Sequence, residues 1–480
     1  MFQKLIINVL FLLGYLYNAK AQDASYWASG YGAAGFFTPG AVIANNHDSG
    51  VLYFNPALLA YDKRNAASIS GTVYQWQSVL INNGAGTGHH LMSANESIVP
   101  LIASNTIRLK TKIPFTLVYA LVHTPVINFQ SSQYKNSSFD VLDNSYSPGP
   151  ENFIGQYSLG SNVRQTTALV SAGLKLNPKL AGGISIEAQI RNQNYLLNYS
   201  SQSIINDGNM IGFPKFTTVA EYYLARTMHA GIKLKAGISY DISDAHHIGA
   251  IISSPLMHAA GKSNIIANSE ISNLNLGDGV ELNLLANTRQ NKLKSKWKMP
   301  FSIAAGYIYH HRKGEVYIVA EYFGRLKEYN IITPCKEQFI RTDSSDWSVT
   351  TNLLRMKDVR KPIVNAGIGM SWFFKETLTG FLSLRTDFTY ADRTLYSDTD
   401  GYLPNITEWN NYHCQIGVNT KRKRFNLRTG ILLTYGGTRQ MMQGINFDDP
   451  NESNLLLGNT GKTRASLFSA GIMVSYIHNL

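Results

Sequence analysis

The chain has 480 residues, of which 44% are hydrophobic and 15% are charged, with a mean hydropathy of −0.13. This length fits several soluble domains or one large barrel, and the low charge, 39 glycines and 27 tyrosines favour a barrel with one lipid-facing and one wet side. The net charge of +12 comes from scattered basic residues, which argues against nucleic acid as a partner. It fits a wet lumen that accepts anions, or loops that meet anionic lipid headgroups.

Residues 1–21 predict a cleaved signal peptide. Lys4 supplies the charged end, Leu5–Tyr17 is an apolar run, and residues 19–21 read Ala-Lys-Ala, which fits an A-x-A cleavage site. The apolar run is short for a membrane span, and no later stretch reaches the ~18 consecutive apolar residues of a transmembrane helix. We therefore expect an exported chain that is periplasmic, secreted or inserted in the outer membrane.

The segment 22–65 follows the signal peptide and contains an apolar stretch without a helical stripe, Gly40–Tyr61. Turn-forming residues interrupt this stretch, and its Asn55-Pro56 step favours a turn because the residue before proline avoids the helical region. Such a segment cannot satisfy its own backbone hydrogen-bonding groups. We expect the rest of the chain to surround it with a wall.

Two-residue alternation dominates the chain after residue 65. In Met228–Ile242, for example, the even positions are apolar, whereas His229, Lys233 and Lys235 lie on the opposite face. We predict about fourteen strands, at 66–76, 96–104, 115–124, 165–176, 180–195, 228–242, 247–265, 280–310, 314–323, 362–374, 378–390, 411–420, 425–436 and 465–478. The stretch 280–310 is too long for one strand, and we expect an interruption near Lys292–Lys298.

The connections between these strands alternate between short and long. Asn177-Pro178-Lys179 is a short turn, whereas Leu196–Thr227 and Arg325–Lys361 are long loops. Short turns at one rim and long loops at the other are typical of outer-membrane barrels. We therefore predict an all-β fold, a transmembrane antiparallel β-barrel of about 14 strands formed by 66–480, with 22–65 as a hatch in its lumen.

Gly40–Tyr61, with Asp48 and Asn55-Pro56-Ala57, resembles the N-terminal hatch of the FadL/TodX family, outer-membrane transporters of long-chain fatty acids and hydrocarbons. The expected Pro-x-Gly after the third strand reads Pro125-Val126-Ile127 here. The resemblance implies passive transport of hydrophobic solutes, with long-chain fatty acids as the expected cargo, and exit sideways or downward when the hatch moves. It also makes Asp48, Asn55, Pro56 and Ala57 the gating candidates. Further segments that resemble the family's strands are 168–183, 234–250 and 300–309.

A long-chain carboxylate needs an apolar groove with a cation at one end. The alternation points five cations into the lumen, and their alternative role is a solvated wall paired with Glu187, Glu321 and Asp387. The apolar residues of one long loop could form the capture groove or simply pack on one another. The ligand-binding candidates are Arg191, Lys233, Lys235, Arg385, Arg428, Ile204, Ile205, Met210, Ile211, Phe213 and Phe216.

We expect no catalytic residue, no metal and no cofactor, and a monomer whose partners are hydrophobic small molecules and outer-membrane lipid. The half-motif Gly461-Lys462-Thr463 lacks the first glycine of a phosphate loop, and no G-x-S-x-G hydrolase motif occurs. Two alternatives stay open from the sequence. One is a PorV-like barrel that serves as a scaffold in a secretion or surface-attachment machine, and the other is an outer-membrane lipase, for which no serine–histidine pair can be nominated.

Overall fold

The computed structural model describes residues 24–27, 41–44, 54–61, 66–109, 115–206, 214–275, 281–341 and 349–479. The predicted signal peptide and most of the segment 22–65 lie outside these ranges. None of the helices in the described ranges has the length and apolar character to cross a membrane.

The described chain is mostly β-strand, because alternating apolar and polar side chains suit a wall with two different faces. The strands are β1 (Ala66–Ile81), β2 (Leu91–Leu109), β3 (Phe115–Phe139), β4 (Glu151–Lys175), β5 (Leu180–Ile204), β6 (Phe216–Ser243), β7 (His246–Ser253), β8 (Met257–Asn275), β9 (Glu281–Lys294), β10 (Ser302–His311), β11 (Gly314–Phe323), β12 (Leu326–Ile332), β13 (Met356–Arg360), β14 (Ile363–Lys375), β15 (Leu378–Asp387), β16 (Asn411–Lys421), β17 (Phe425–Met442) and β18 (Lys462–Asn479). The helices are α1 (Ala41–Ala44), α2 (Val349–Leu353) and 3₁₀ turns at Pro56–Tyr61, Arg393–Leu395 and Glu452–Asn454.

These strands close into an antiparallel barrel, because β1 pairs with β18 and β5 pairs with β6. β7 and β8 continue one another along β6, with a break at 254–256. β10 and β9 continue one another along β7 and β8, with a break at 295–301. β12 and β13 form a separate two-stranded sheet. Counting each interrupted pair once, fourteen strands form the wall, so the predicted transmembrane barrel is confirmed.

The outer and inner faces of the wall differ in polarity. On β5, Ile184 and Ile186 are 61% and 52% exposed, whereas Ser185 and Glu187 are each 2% exposed. Exposed apolar side chains recur on the same phase of the other strands, including Ile238 on β6 and Ile416 on β16. The barrel therefore presents an apolar surface to lipid and a polar surface to its lumen.

Several strands extend far beyond their predicted ends. β3, β4 and β5 have 25 residues each and β6 has 28, although a tilted strand needs only ~9–11 to cross the membrane. Much of the predicted loop Leu196–Thr227 is therefore strand, which corrects that boundary. Towards the long loops the outward face of these strands is polar, as at Asn192 and Asn194, whereas their inward face carries apolar residues such as Tyr195. The apolar-outward alternation that marks a lipid-facing strand therefore ends there.

The described pieces of the N-terminal segment contact the inner face of the wall. The turn Pro56–Tyr61 contacts β3, β4, β5 and β6, and α1 contacts β6, β7, β10 and β11. Leu58 and Leu59 pack against inward residues such as Val118, which alternate with the exposed Tyr119. These contacts agree with a hatch in the lumen.

Candidate functional site

Three glycines on the inner face receive the Asn55-Pro56 turn. Gly173, Gly183 and Gly237 lie side by side on β4, β5 and β6. A β-carbon at Gly173 or Gly183 would collide with the backbone of Pro56, and one at Gly237 with the side chain of Asn55. Glycine in a strand often marks such a close backbone approach. We call these three residues the glycine cradle.

Asn55 is fully buried and uses both ends of its side-chain amide. Its Nδ2 donates to the carbonyl oxygens of Ile43 and Ile238, at 2.6 and 2.9 Å, and its Oδ1 accepts from the backbone N of Ala57 at 3.1 Å. A carboxylate or an apolar side chain could not supply these donors. The asparagine therefore joins the turn, α1 and the wall strand β6.

Trp27 holds the N-terminal segment to the opposite side of the wall. Its backbone N donates to Asp387 Oδ1 at 2.9 Å, and its indole Nε1 donates to Glu321 Oε2 at 2.7 Å. Asp387 ends β15 and Glu321 lies on β11, so the two carboxylates come from different strands. Only 3% of Trp27 is exposed. We call this arrangement the carboxylate support.

Aromatic rings and one guanidinium surround the neighbouring Tyr26. The ring of Tyr26 stacks on Phe323 at 4.2 Å and lies 4.8 Å from the ring of Tyr390. Arg360, on β13, lies over the Tyr390 ring at 4.2 Å and makes an ion pair with Asp358 at 2.9 Å. Burial raises the pKa of Tyr26 to about 12, against the opposing effect of Arg360, so the phenol stays neutral at ordinary pH.

A cavity of about 110 Å³ lies between these N-terminal residues and the wall, and we call it the inner cavity. Three of the predicted lumen cations, Arg191, Lys233 and Lys235, line it, and so do the carboxylates Glu187 and Glu321. The rest of its lining is mainly apolar or aromatic and includes Trp27, Phe54, Val126, Ile251, Trp297, Met299, Ala304, Phe323 and Tyr390. The inner cavity thus combines apolar walls with positive charge.

The cations of the inner cavity differ in their partners. Lys235 Nζ lies 2.5 Å from Glu187 Oε1, and Arg191 stacks over the Trp297 ring at 3.8 Å. Lys233 is 6% exposed, and in the described part of the chain it has no carboxylate oxygen within 4 Å. Its ammonium group is therefore the cation most free to bind an anion.

The other predicted cations lie elsewhere. Arg385 on β15 and Arg428 on β17 point inward but do not line the inner cavity, and Arg428 stacks near the Phe381 ring at 5.4 Å. Ile204 ends β5 opposite Phe216, which is 51% exposed. Ile205 is 5% exposed and belongs to the buried apolar cluster that also contains Phe153 and Tyr223. Outside the described residues lie Asp48, Met210, Ile211 and Phe213.

A second cavity, the outer cavity, has a volume of about 340 Å³ and lies at the long-loop end of the lumen. Among the described residues that line it, Glu221 is the one carboxylate, and it accepts hydrogen bonds from Tyr199, at 2.9 Å, and from Tyr402. Most of the lining is apolar or aromatic, including Ile81, Leu91, Tyr157, Leu159, Tyr195, Leu197, Leu403, Ile406, Met441 and Met442. This lining suits an apolar solute.

The wall has a gap in its backbone ladder between β2 and β3. Their pairing ends at Ile102 and Val122, although both strands continue for many residues towards the long loops. Beyond that point side chains join them, since Asn95 Nδ2 donates to Asn128 O at 2.6 Å and Asn128 Nδ2 donates to Asn95 Oδ1 at 2.9 Å. We call this region the β2–β3 seam.

The inner cavity touches the strand that borders this seam. In the pairing of β3 with β4, Pro125 faces Arg164 and Ile127 faces Val163, so Val126 is the extra residue of a β-bulge. Val126 is also one of the residues that line the inner cavity. Bulges often redirect a strand beside a functional site. Here the bulge falls where the Pro-x-Gly of the resembling family was expected.

Sequence reasoning missed Trp27, Arg360 and the glycine cradle. The glycines carried a usable signal, because they occupy inward positions of strands whose neighbouring inward positions are mostly polar or charged, as at Ser171, Ser185 and Lys235. For Trp27 the sequence offers no comparable signal, because its partners Asp387 and Glu321 lie 360 and 294 residues away along the chain.

No protein-family model matches the sequence, and no curated protein matches it. Among solved structures it is similar to the toluene transporter TodX of Pseudomonas putida, with a TM-score of 0.57 and 15% identity over 96% of this chain and 100% of TodX. A FadL homologue of Pseudomonas aeruginosa matches with a TM-score of 0.57 and 10% identity over 96% and 99% of the two chains. The toluene transporter TbuX of Ralstonia pickettii gives 0.57 and 11% over 95% and 99%. This chain has the fold of these transporters.

Proposed function

We propose that this protein is a passive outer-membrane channel for hydrophobic solutes, with the segment 22–65 as its hatch. The observation that supports this most is the pair of cavities in one closed barrel, an apolar outer cavity and a cation-lined inner cavity beside the N-terminal segment. The similar solved structures are described as toluene transporters and a FadL homologue. A closed sheet has no free wall edge to pair with another copy, which favours a monomer.

The inner cavity favours a long-chain carboxylic acid over a plain hydrocarbon. A hydrocarbon gains nothing from a buried ammonium group, whereas a carboxylate gains a charge-assisted hydrogen bond. Lys233 would bind the carboxylate, with Arg191 beside it, and Trp297 and Met299 would contact the first carbons of the chain. Arg385 and Arg428 would act elsewhere in the lumen, since they lie outside this cavity.

Binding of oleate and of toluene to the purified protein tests the solute class. We expect Lys233→Met to weaken oleate binding strongly and to leave toluene binding almost unchanged. Lys423→Met, in the exposed turn between β16 and β17, is the charge-matched control and should change neither. Equal oleate affinity in wild type and Lys233→Met would remove the carboxylate from the proposal. Failure to bind either solute would remove transport and favour the scaffold alternative.

Movement of the Asn55-Pro56-Ala57 turn would open the route out of the inner cavity. This turn sits in the glycine cradle on the wall beneath Lys233 and Lys235, which belong to the same strand as Gly237. The contact is one of shape and neutral hydrogen bonds, so a solute that displaces the turn separates no ion pair there. Asp48 stays a gating candidate by its place in the same segment.

The β2–β3 seam offers the sideways exit. Val126 connects the inner cavity to the strand that borders the seam. Hydrogen bonds that involve side chains, among them those of Asn95 and Asn128, close the seam in place of a backbone ladder. Asn95→Cys combined with Asn128→Cys should allow a disulfide across it. We expect the oxidised variant to lose oleate uptake and the reduced variant to regain it. If the disulfide is verified and oleate uptake is the same in the oxidised and the reduced variant, the result would favour exit towards the periplasm.

A further inference from the structure

We infer that the outward face of β6, β8 and β9 carries a binding site for a phosphate-bearing lipid headgroup at the long-loop side of the membrane. Six exposed cations form this site, which we call the outer basic patch: Arg226, Lys262, Arg289, Lys292, Lys294 and Lys296. It is separate from the lumen and does not depend on the proposed transport.

The alternation at the end of β9 and in the residues that follow it, 293–297, shows that the patch faces away from the lumen. Leu293, Ser295 and Trp297 are buried, and Trp297 lines the inner cavity. Lys294 and Lys296 alternate with them and are exposed, so they point to the outside of the barrel. A cation-rich outer surface is unexpected on a strand whose neighbours face lipid.

The register brings the cations of three strands together. Lys262 on β8 lies directly opposite Lys294 on β9 and opposite Met228 on β6. Arg226 lies two positions beyond Met228, within reach of long side chains on the diagonal. Lys292 joins the group because its backbone N donates to Asn264 Oδ1 at 3.0 Å, on the same outward face. Like charges at directly opposed positions destabilise a strand pair, so this arrangement calls for an anion.

The patch has no anion within the described protein. None of its six cations has a carboxylate oxygen within 4 Å among the described residues, whereas Lys235, Lys357 and Arg360 each have at least one. The outward acid on β8, Glu270, stands eight residues from Lys262. The compensating charge therefore has to come from outside the chain.

The position of the patch relative to the apolar surface identifies the source of that charge. On β6 every outward residue from Ile242 to Met228 is apolar, and Arg226 is the first charged one. Fourteen residues span roughly 46 Å along a strand, or about 33 Å across a membrane at a tilt near 45°. The hydrocarbon core is about 30 Å thick, so Arg226 lies at headgroup height. Phe301 and Tyr322, both 40% exposed and with ring centroids 6.0 Å apart, mark the same boundary nearby.

Phosphate groups are the anions that a membrane presents at this height. Lysine and arginine bind them through charge-assisted hydrogen bonds, and several cations on one rigid wall favour a headgroup with more than one phosphate. The patch lies towards the long loops, which in such barrels face the cell exterior. The proposed ligand is therefore a multiply phosphorylated lipid of the outer leaflet.

The test measures binding of lipid A with two phosphates to the full chain in zwitterionic nanodiscs. The variant Lys262→Gln/Lys294→Gln/Lys296→Gln should lose roughly a hundredfold in affinity, at about fivefold for each cation near an anionic lipid surface. The matched control is Arg422→Gln/Lys423→Gln/Arg424→Gln in the exposed turn at the opposite rim, which should bind as wild type does. Heat-dependent migration in SDS gels verifies that both variants are folded.

Added salt should weaken the wild-type interaction, because exposed charges are screened. Equal losses in the two triple variants would overturn the site, since they would show a general charge effect. Equal binding of dephosphorylated lipid A would overturn the phosphate assignment. Competition by inorganic phosphate at the same concentration as the lipid would overturn the assignment to a membrane lipid. The variant Arg226→Gln gives a milder second measurement, with an expected loss of about fivefold.

Discussion

The N-terminal segment is held at two places that use different chemistry. The glycine cradle receives Asn55 and Pro56 by shape and by neutral hydrogen bonds, on the wall formed by β4, β5 and β6. The carboxylate support holds Trp27 through Asp387 and Glu321 on the other side of the lumen. A β-carbon added at a glycine of the cradle would overlap with Asn55 or Pro56, whereas the carboxylate support consists of side chains that can move. We therefore expect substitutions at the cradle to have the larger effects.

The largest effect is expected from Gly183→Ala. The new methyl group would collide with the Pro56 backbone, and backbone cannot rotate away as a side chain can. Overpacking of this kind costs roughly 1–3 kcal/mol and should push the turn out of its cradle. We expect faster protease cleavage of the N-terminal segment in the folded barrel and a higher single-channel conductance.

Gly160→Ala is the control for this experiment. A β-carbon at Gly160 would meet its nearest neighbour, Leu196 Cβ, at 3.6 Å, which is ordinary contact. Cleavage and conductance should therefore stay at wild-type values in this variant. If Gly183→Ala also behaves as wild type, the turn does not sit in the cradle in solution.

Asn55 allows the hydrogen bonds of the cradle to be separated from its shape. Asn55→Asp keeps the acceptor for Ala57 N but loses both donated bonds, and Asn55→Ala loses all three. Leaving buried polar groups unpaired costs roughly 1–3 kcal/mol. We expect both variants to release the segment, measured by the same cleavage assay, but less completely than Gly183→Ala. A wild-type rate for Asn55→Ala would show that shape alone holds the turn.

The carboxylate support should respond more weakly to substitution. Trp27→Phe keeps an aromatic ring but removes the Nε1 donor to Glu321, while the backbone bond to Asp387 remains. A hydrogen bond to a charged group contributes roughly 1.5–3 kcal/mol, and the retained packing limits the loss. Cleavage should rise above wild type and stay below Asn55→Ala. Glu321→Gln, which keeps an acceptor oxygen, should lie closer to wild type, and the reverse order would contradict this assignment.

The smallest effect is expected from Asp398→Asn, in the loop above the support. Hydrogen bonds from Arg355 and Lys357 hold the pKa of Asp398 well below its usual value of 3.8. The stability that this lowered pKa provides is complete above pH 3.8 and is lost as the pH falls through the lowered value. Lys357 lies on β13 with Arg360, which contacts Tyr26. We expect a slightly lower Tm than wild type at neutral pH, and a difference that shrinks only at strongly acid pH.

Much of the wall could be predicted from the sequence, because side-chain alternation reports directly which residues face lipid. The phase of Met228–Ile242, the interruption near Lys292–Lys298 and the turn at Asn55-Pro56 all follow from local residue chemistry. The outer halves of β3–β6 could not be predicted, because their outward face is polar there while apolar residues such as Tyr157 and Tyr223 face inward, so the apolar-outward alternation is lost. The local sequence therefore does not indicate that these segments are strands.

The site was harder to predict because alternation gives direction but not position around the barrel. Lys233 and Arg428 both point inward, yet only Lys233 lines the inner cavity. Position around the barrel depends on strand register and on long-range contacts such as that between Trp27 and Asp387, which are 360 positions apart in the chain. The sequence therefore predicted which cations face the lumen and not which of them share a cavity.

The pairing of β1 with β18 constrains the order in which this molecule can assemble. Ala66 on β1 lies opposite Asn479 on β18, so the first and the last strand of the chain pair with one another to close the barrel. Until β18 pairs with β1, one edge of β1 is unpaired and the sheet is open along that side. We expect the N-terminal segment to enter the lumen before or while β1 and β18 pair, because an open sheet admits it more easily than a closed barrel does.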